Sequence, residues 1–489
     1  MAALTGEKFD VAIIGGGIIG CGVARDAALR GLRVALFEQR DFGSGTTAAS
    51  TRIVHGGLRY LEMLDFRLVR LDLRERETLL RIAPHLVQPL EFVIPLMSGA
   101  AVSALKLRLG LTLYDALSPG TSLPRHQVFP ASDAQRLDDC LRRQDVRGAA
   151  AYYDARVDLP ERLALENALD AEAHGATILN YVKVVPPITS DNGLQRLVVH
   201  DAIDEDHADV SARIVVNATG AWWEQVAAAQ TGQRPSRIRT TKGIHIVCRE
   251  LTTRALVLFS SVDRRLMFAI PRFGHTWIGT TDTDYDGDPA DAYATRPDVD
   301  YVLASVKGMF PDLTLADVLY TTAGVRALVR ERGRPSAVSR MHKIVDDEPA
   351  RGTVSILGGK ITGYRAIAEE AVDVVCRRLR VAARCMTAER TLPGAFAGSP
   401  GHEQPLASDH PNLAAQVVFA VRSEHCRRVS DFIRRRTRLG ASADQGWNAA
   451  RRTAEIMGAE LSWPPSRIAA EIEDYGRDIA ATRAFAGPG

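Results

Sequence analysis

Residues 50–62, STRIVHGGLRYLE, set His55, Arg59 and Tyr60 close together around the pair Gly56-Gly57. An imidazole titrates near neutrality and can take a proton from a reacting group. A guanidinium is a fixed cation whose planar fork matches the oxygens of a phosphate or carboxylate. The phenol adds a hydrogen bond, and the glycine pair lets backbone pass close to a bound molecule. A surface loop with a helix start behind it would have the same composition. The choice between the two rests on the elements around the segment.

The element before it is informative. FDVAIIGGGIIGCGVARDAALRGLRVALFEQ (9–39) opens on an apolar run, Val11 to Ile14, suited to a buried parallel strand. Gly15-x-Gly17-x-x-Gly20 follows, then Val23, Ala24, Ala27, Ala28 and Leu32 at helical spacing, then a second strand ending at Glu38. Gly15 permits the tight turn, Gly17 lets a pyrophosphate approach the backbone, and Gly20 lets the helix pack on the strand. The helix N-terminus offers unpaired N–H groups and partial positive charge. Glu38 can accept hydrogen bonds from ribose hydroxyls. The ordered unit predicts a dinucleotide site.

Two later segments narrow the cofactor. RIVVNATGAWW (213–223) is a strand running into Ala218-Thr219-Gly220, and TVSILGGKITGYRAIAEEAV (353–372) is a strand, a Gly358-Gly359 turn and a helix. With the N-terminal unit they resemble the FAD-binding fold of the glutathione-reductase and amino-acid-oxidase type. That resemblance implies FAD, with the late helix directed at the flavin pyrimidine.

GTTAASTRIVHGGLRYLE (45–62) then resembles the FAD-dependent glycerol-3-phosphate dehydrogenases. The likeness continues in order through FRLVRLDLRERETLLRIAPHLV (66–87), VNATGAW (216–222), KGIHIV (242–247), IGTTDTDYDGDP (278–289), TAGVRALV (322–329), SRMHKI (339–344), GGKITGYR (358–365) and FIRRRTRLG (432–440). It implies oxidation of sn-glycerol 3-phosphate to dihydroxyacetone phosphate, with hydride passing to flavin N5 and electrons onward to a quinone-type acceptor. Thr46, Thr47, Ser50, Thr219, Gly220, Gly358, Gly359 and Lys360 join Gly15, Gly17, Gly20 and Glu38 as expected cofactor contacts. Arg59, Arg326 and Arg340 are the expected phosphate cations, with Tyr60 beside them. His55 is the first candidate for the base, with Arg326 second. Lys360 is expected to stabilise the reduced flavin or the substrate oxygen, with Thr362 nearby, and Gly56-Gly57 to bring the chain close to the flavin. The chain departs from the family pattern at Ile19 (usually asparagine), Ala327 (proline) and Gly363 (threonine), and 395–425 is shorter than usual.

The implied architecture is α/β: a doubly wound, Rossmann-like FAD domain (1–85, 150–222, 335–392) interleaved with an α+β substrate domain (86–149, 223–334). A linker and C-terminal helical domain (393–489) follow. A net charge of +2 on 489 residues argues against wholesale nucleic-acid binding. Six scattered cysteines with no C-x-x-C pair argue against structural zinc or an iron–sulfur cluster and suit a reducing cytoplasm. Asp282-x-Asp284-x-Asp286-Gly287 copies the start of a calcium loop, but Tyr293 stands where the bidentate glutamate belongs, so no metal is expected. The first ten residues do not read as a signal peptide, and no apolar run is long enough to span a bilayer. ALKLRLGLTLYDAL (104–117) and the arginines at 427, 428, 434, 435, 436 and 438 are basic segments that can meet anionic lipid. Family likeness adds a peripheral place on the inner face of the cell membrane. A homodimer stays open. Two other readings compete: an FAD enzyme for another hydroxy acid or amine, and a flavin-free binding protein that kept the fold.

Overall fold

The computed structural model describes residues 1, 4–97, 103–142, 144–231, 235–330, 341–346, 352–394, 405–407 and 410–487. The apolar runs form its first layer. Thr353–Leu357, His207–Asn217, Lys8–Ile14, Val34–Glu38 and Thr177–Asn180 lie side by side and parallel, with Lys343–Val345 antiparallel at one edge. Both faces are covered, which is why these strands read as unbroken Val, Ile and Ala. Val11, Ile13, Leu36 and Val216 share one core with residues of the helices Ile18–Leu29, Pro160–Ala173 and Tyr364–Leu379. Ala12, Ile14, Phe37 and Val215 share another with Val182, Leu197 and Val199 of an antiparallel meander.

The second sheet is antiparallel except where Ala255–Phe259 runs parallel to Val87–Met97. Its long pairs are Ile238–Arg249 with Val318–Val329, and Val87–Met97 with Val146–Val157. The domain boundary expected at 150 falls inside Val146–Val157, a strand of this second sheet. Ile53–Val54 adds to the same strand, so the chain enters the second sheet just before His55.

Helices Ala414–Ser423, Trp447–Leu461 and Pro465–Ala481 enclose a C-terminal core of their own. Here the expectation of a lipid-facing arginine run is corrected. Arg435 and Arg436 are turned inward onto the buried Asp41, and Arg427 pairs with Asp201 and Asp204. Arg428 meets Asp474, while Arg434 and Arg438 lie over the rings of Tyr475 and Phe273. A cation run is solvated only when no carboxylates wait opposite it, and here Asp41, Asp201 and Asp204 reach it from the first layer and its meander, and Asp474 from the last helix. Among the described residues no helix is long and apolar enough to cross a membrane.

Candidate functional site

A cleft of about 950 Å³ is lined by residues of both sheets. This is at the upper end for a small-molecule site, about 300–1,000 Å³. One wall is backbone. Lys8–Ile14 ends at Gly15, whose φ of +105° and approach to Ala218 leave no room for a side chain. A Cβ on Gly20 would lie 1.8 Å from the Gly15 carbonyl oxygen, so Gly20 is a packing position and does not line the cleft. Gly17 differs: it lines the cleft, and its nearest neighbour to a would-be Cβ is Thr47 Oγ1 at 3.6 Å. The space in front of it is open. The Ile18 N–H, first of the helix Ile18–Leu29, donates to Thr47 Oγ1 at 3.1 Å.

Glu38, at the end of its strand, accepts from the N–H groups of Gly16 (2.6 Å) and Arg40 (2.8 Å). Burial raises its pKa, against those two bonds. Each oxygen keeps a further lone pair toward the cleft. Thr46 donates to the Val325 carbonyl at 2.6 Å, Thr219 donates to Asn217 at 2.6 Å, and the Ser50 hydroxyl accepts from the Arg52 N–H at 3.3 Å. Gly220, Gly358 and Gly359 have φ of +57°, +68° and +103°. A Cβ on Gly359 would lie 3.1 Å from Ile19 Cδ1. Ile19 thus places an apolar side chain beside the Gly358-Gly359 turn. An open glycine at a helix N-terminus, an acceptor at the strand end and a long cleft fit a dinucleotide such as FAD.

The other wall is made of side chains. His55 and Thr362 come together through the backbone: the His55 N–H donates to Thr362 Oγ1 at 3.1 Å. Of the glycine pair, only Gly57 lines the cleft. Gly56 sits behind the wall. A Cβ on Gly56 would lie 2.5 Å from Leu73 and from the Tyr114 hydroxyl, and one on Gly57 would lie 2.3 Å from the Tyr60 ring. The pair serves close packing. Lys360 forms an ion pair with Asp72 and lies 4.3 Å over the Tyr60 ring. Arg326 donates to Thr280 Oγ1 (2.8 Å), the Thr281 carbonyl (3.1 Å) and Asp282 (3.3 Å), and its guanidinium occupies the space a side chain on Gly243 would need. Arg59 begins the helix Arg59–Glu62. Its side chain, and all of Arg340, lie outside the described residues.

Four residues escaped the sequence reading. Asp72 is the partner of Lys360; burial holds its carboxyl up at about 6, with Lys360 opposing and Asp154 and Glu75 adding to the rise. Its signal was a charged residue on the apolar stripe of its helix, in step with Leu68, Leu79 and Ile82. Asp282, weighed only as a calcium ligand, pairs with Arg326, and Asp284 pairs with Arg239. His245 is buried against Thr51 (3.1 Å). Burial first, then the charges of Arg326, Arg52 and Arg272, bring its pKa down to about 3. It is therefore neutral at physiological pH and a poor proton acceptor.

Comparison with known proteins bears on the whole chain. Residues 10–364 match a family described as FAD dependent oxidoreductase, and residues 385–468 match the C-terminal domain of alpha-glycerophosphate oxidase. A glycerol-3-phosphate dehydrogenase of Synechocystis sp. is 35% identical, over 96% of this chain and 95% of that protein. An aerobic glycerol-3-phosphate dehydrogenase of Staphylococcus saprophyticus is 35% identical, over 81% of this chain and 72% of that protein. Among solved structures, the glycerol-3-phosphate dehydrogenase of Bacillus halodurans complexed with FAD superposes with a TM-score of 0.78 at 28% identity, covering 98% of this chain and 96% of that one.

Proposed function

The chain belongs to the family of FAD-dependent glycerol-3-phosphate dehydrogenases and is an FAD-dependent oxidoreductase; from that premise we propose how its cleft oxidises sn-glycerol 3-phosphate to dihydroxyacetone phosphate. The observation that carries the reading is the pairing of walls. A backbone cradle suited to a dinucleotide faces His55, Lys360, Thr362 and Arg326 across one cleft. FAD, when bound, supplies the hydride acceptor at N5.

The chain's own residues would then do the rest. Gly15 and Gly17, Thr47 and the helix N-terminus receive the pyrophosphate, and Glu38 the ribose. Thr46, Ser50, Thr219, Gly220, Gly358 and Gly359 line the remaining length. Arg326, Arg59 and Arg340 bind the substrate phosphate, with Tyr60 beside them. Arg326 is pre-organised by three acceptors, so little side-chain entropy is lost when an anion arrives. His55 takes the C2 hydroxyl proton, and Thr362, fixed to the His55 backbone, holds that segment in register. Arg326 is the second choice for this role. Lys360 stabilises charge developing on the substrate oxygen or the reduced cofactor.

The electron acceptor in this reading is a quinone-type molecule met at a membrane surface, on the inner face of the cell membrane. Leu105, Leu109 and Leu113 project from one face of Ala104–Ala116, opposite the buried Leu107 and Leu111. Met63, Leu64 and Phe66 are also exposed. Neighbours of both groups share one buried cluster, and Met63, Lys106 and Gly110 line the cleft. An apolar rim of this kind suits an apolar acceptor. Anaerobic titration of FAD-loaded protein with glycerol 3-phosphate tests the substrate. Bleaching of the flavin absorbance near stoichiometry is expected; an unchanged spectrum refutes it.

A further inference from the structure

The helix Phe66–Ile82 buries three charged side chains, Asp72, Glu75 and Arg76, each no more than 2% exposed. An unpaired buried charge costs several kcal/mol, so each needs a partner: Asp154 of the strand Val146–Val157 for Arg76, and Arg365 and Lys360 of the late motif for Glu75 and Asp72. Arg76 holds Asp154 at 2.7 Å, which also accepts from the Tyr114 hydroxyl and, at 3.4 Å, from the Gly56 N–H. Glu75 takes Arg365 in a two-bond fork of 2.6 and 2.7 Å. Asp72 takes Lys360. The first two pairs already dock the helix to the segment before Tyr60 and to the start of Tyr364–Leu379. The third pair is surplus to docking, and its cation alone faces the cleft.

We propose that Asp72 is the positioning residue for Lys360, holding the ammonium against the Tyr60 ring so that it meets an incoming anion already oriented. The ammonium is fixed from two sides: the carboxylate behind it and the ring 4.3 Å from it. Tyr60 in turn rests where only Gly57 leaves room. The order Gly57, Tyr60, Lys360, Asp72 thus links the early motif to the late one through a single cation. Asp72 itself is faced by Lys360, Glu75 and Asp154, with Arg76 bonded to Asp154 and Arg365 to Glu75. Titration of Asp72 therefore acts first on Lys360, because the other two carboxylates have arginines of their own. Lys360's part in turnover rests on the function proposed above; its placement by Asp72 does not.

The test reads Lys360 directly. Purified protein, with and without FAD, is treated with acetic anhydride between pH 6 and 9, and acetylation of the Lys360 peptide is followed by mass spectrometry. An amino group held in an ion pair and against a ring is less open to the reagent, so Asp72→Asn is expected to be labelled several-fold faster, and Asp72→Glu, which keeps the pair, to stay near wild type. Equal acceleration in both variants would mean a loosened wall and overturn the proposal, as would no change in Asp72→Asn. Neither result depends on the substrate. With glycerol 3-phosphate, Asp72→Asn is expected to raise KM several-fold in wild type and to add little in a Lys360→Gln background; the same loss in both backgrounds refutes action through Lys360. If Asp72→Asn does not fold, the double variant with Lys360→Met removes both charges and is expected to fold; its failure makes Asp72 a general structural residue.

Discussion

The two walls of the cleft are built in opposite ways. The dinucleotide wall is mostly backbone: glycine turns near residues 15–17, 220 and 358–359, helix N–H groups and one strand-end carboxylate. The opposite wall is built from His55, Tyr60, Arg326, Lys360 and Thr362, each held by a partner elsewhere in the chain. Backbone shape is encoded by what residues lack, so it tolerates almost no added atoms. Side-chain placement is encoded by counter-charges, so it fails by degrees. Substitutions on the two walls should differ in kind as well as in size.

The largest effect should come from Gly20. A methyl group there meets the Gly15 carbonyl oxygen at 1.8 Å, and core overpacking of this sort costs about 1–3 kcal/mol or more. Gly20→Ala is expected to lose FAD occupancy and most soluble folded protein. Gly17→Ala meets nothing closer than 3.6 Å, so the apo protein should melt normally while FAD affinity falls. Melting curves and flavin content of both variants decide it. An unstable apo Gly17→Ala would mean that this wall is tight everywhere, and the contrast between packing and ligand-facing glycines would go.

His55 comes next. His55→Asn keeps the shape and the backbone bond to Thr362 but removes a titrating group. Stopped-flow reduction by glycerol 3-phosphate is expected to slow by about 10²–10⁴ with little change in substrate affinity. A wild-type rate would pass the proton to Arg326 or water.

Arg326→Ala should be smaller and should appear in binding. A charge-assisted hydrogen bond to a buried anion is worth roughly 1.5–3 kcal/mol, a loss of about ten-fold or more in KM. The variant also takes from the buried Asp282 its nearer guanidinium and leaves Arg265 at 3.9 Å, which costs stability. Adding Asp282→Asn to Arg326→Ala should recover stability but not affinity. Recovery of affinity would show that the free carboxylate, and not the missing cation, was repelling the substrate.

The same contrast explains what could be read from the sequence. Gly15, Gly17, Gly20 and Glu38 were legible because they stand in one continuous strand–turn–helix–strand unit, residues 9–39. The first sheet followed, because its fully apolar runs admit little but a covered parallel strand. Asp72 was hidden because its place on the apolar stripe of its helix names no partner until Lys360, 288 residues on, is set beside it. The tail arginines were misread for the same reason. Their partner Asp41 is 394 and 395 residues away, and a charge run carries no mark of burial. Asp282 was legible only as a calcium ligand because its true partner, Arg326, lies on another strand.

The smallest effects are in stability, where two aspartates with opposite signs sharpen the comparison between the cleft and the C-terminal joint. At Asp41 burial raises the carboxyl, but Arg436 and Arg435 outweigh it and bring the pKa down to about 2. A folded pKa below the unfolded value stabilises the native state above about pH 4, and that contribution is lost as pH falls from there toward 2. At Asp72 burial outweighs Lys360 and the pKa stands at about 6. A raised pKa works the other way: its stabilising contribution is complete below about pH 4 and is lost as pH rises through 6. Each shift is about two units, so each contribution is roughly 2–3 kcal/mol in magnitude. Melting temperature against pH should therefore lose part of its acid limb in Asp41→Asn, with less change on acidification from pH 4 to 2. In Asp72→Asn the limb between pH 4 and 7 should change instead, because the decline that ionisation of Asp72 imposes there is removed. If Asp72→Asn leaves that interval untouched, the carboxylate is fully balanced by Lys360 in the folded state. The cleft would then hold its cation as tightly as the C-terminal joint holds its arginines.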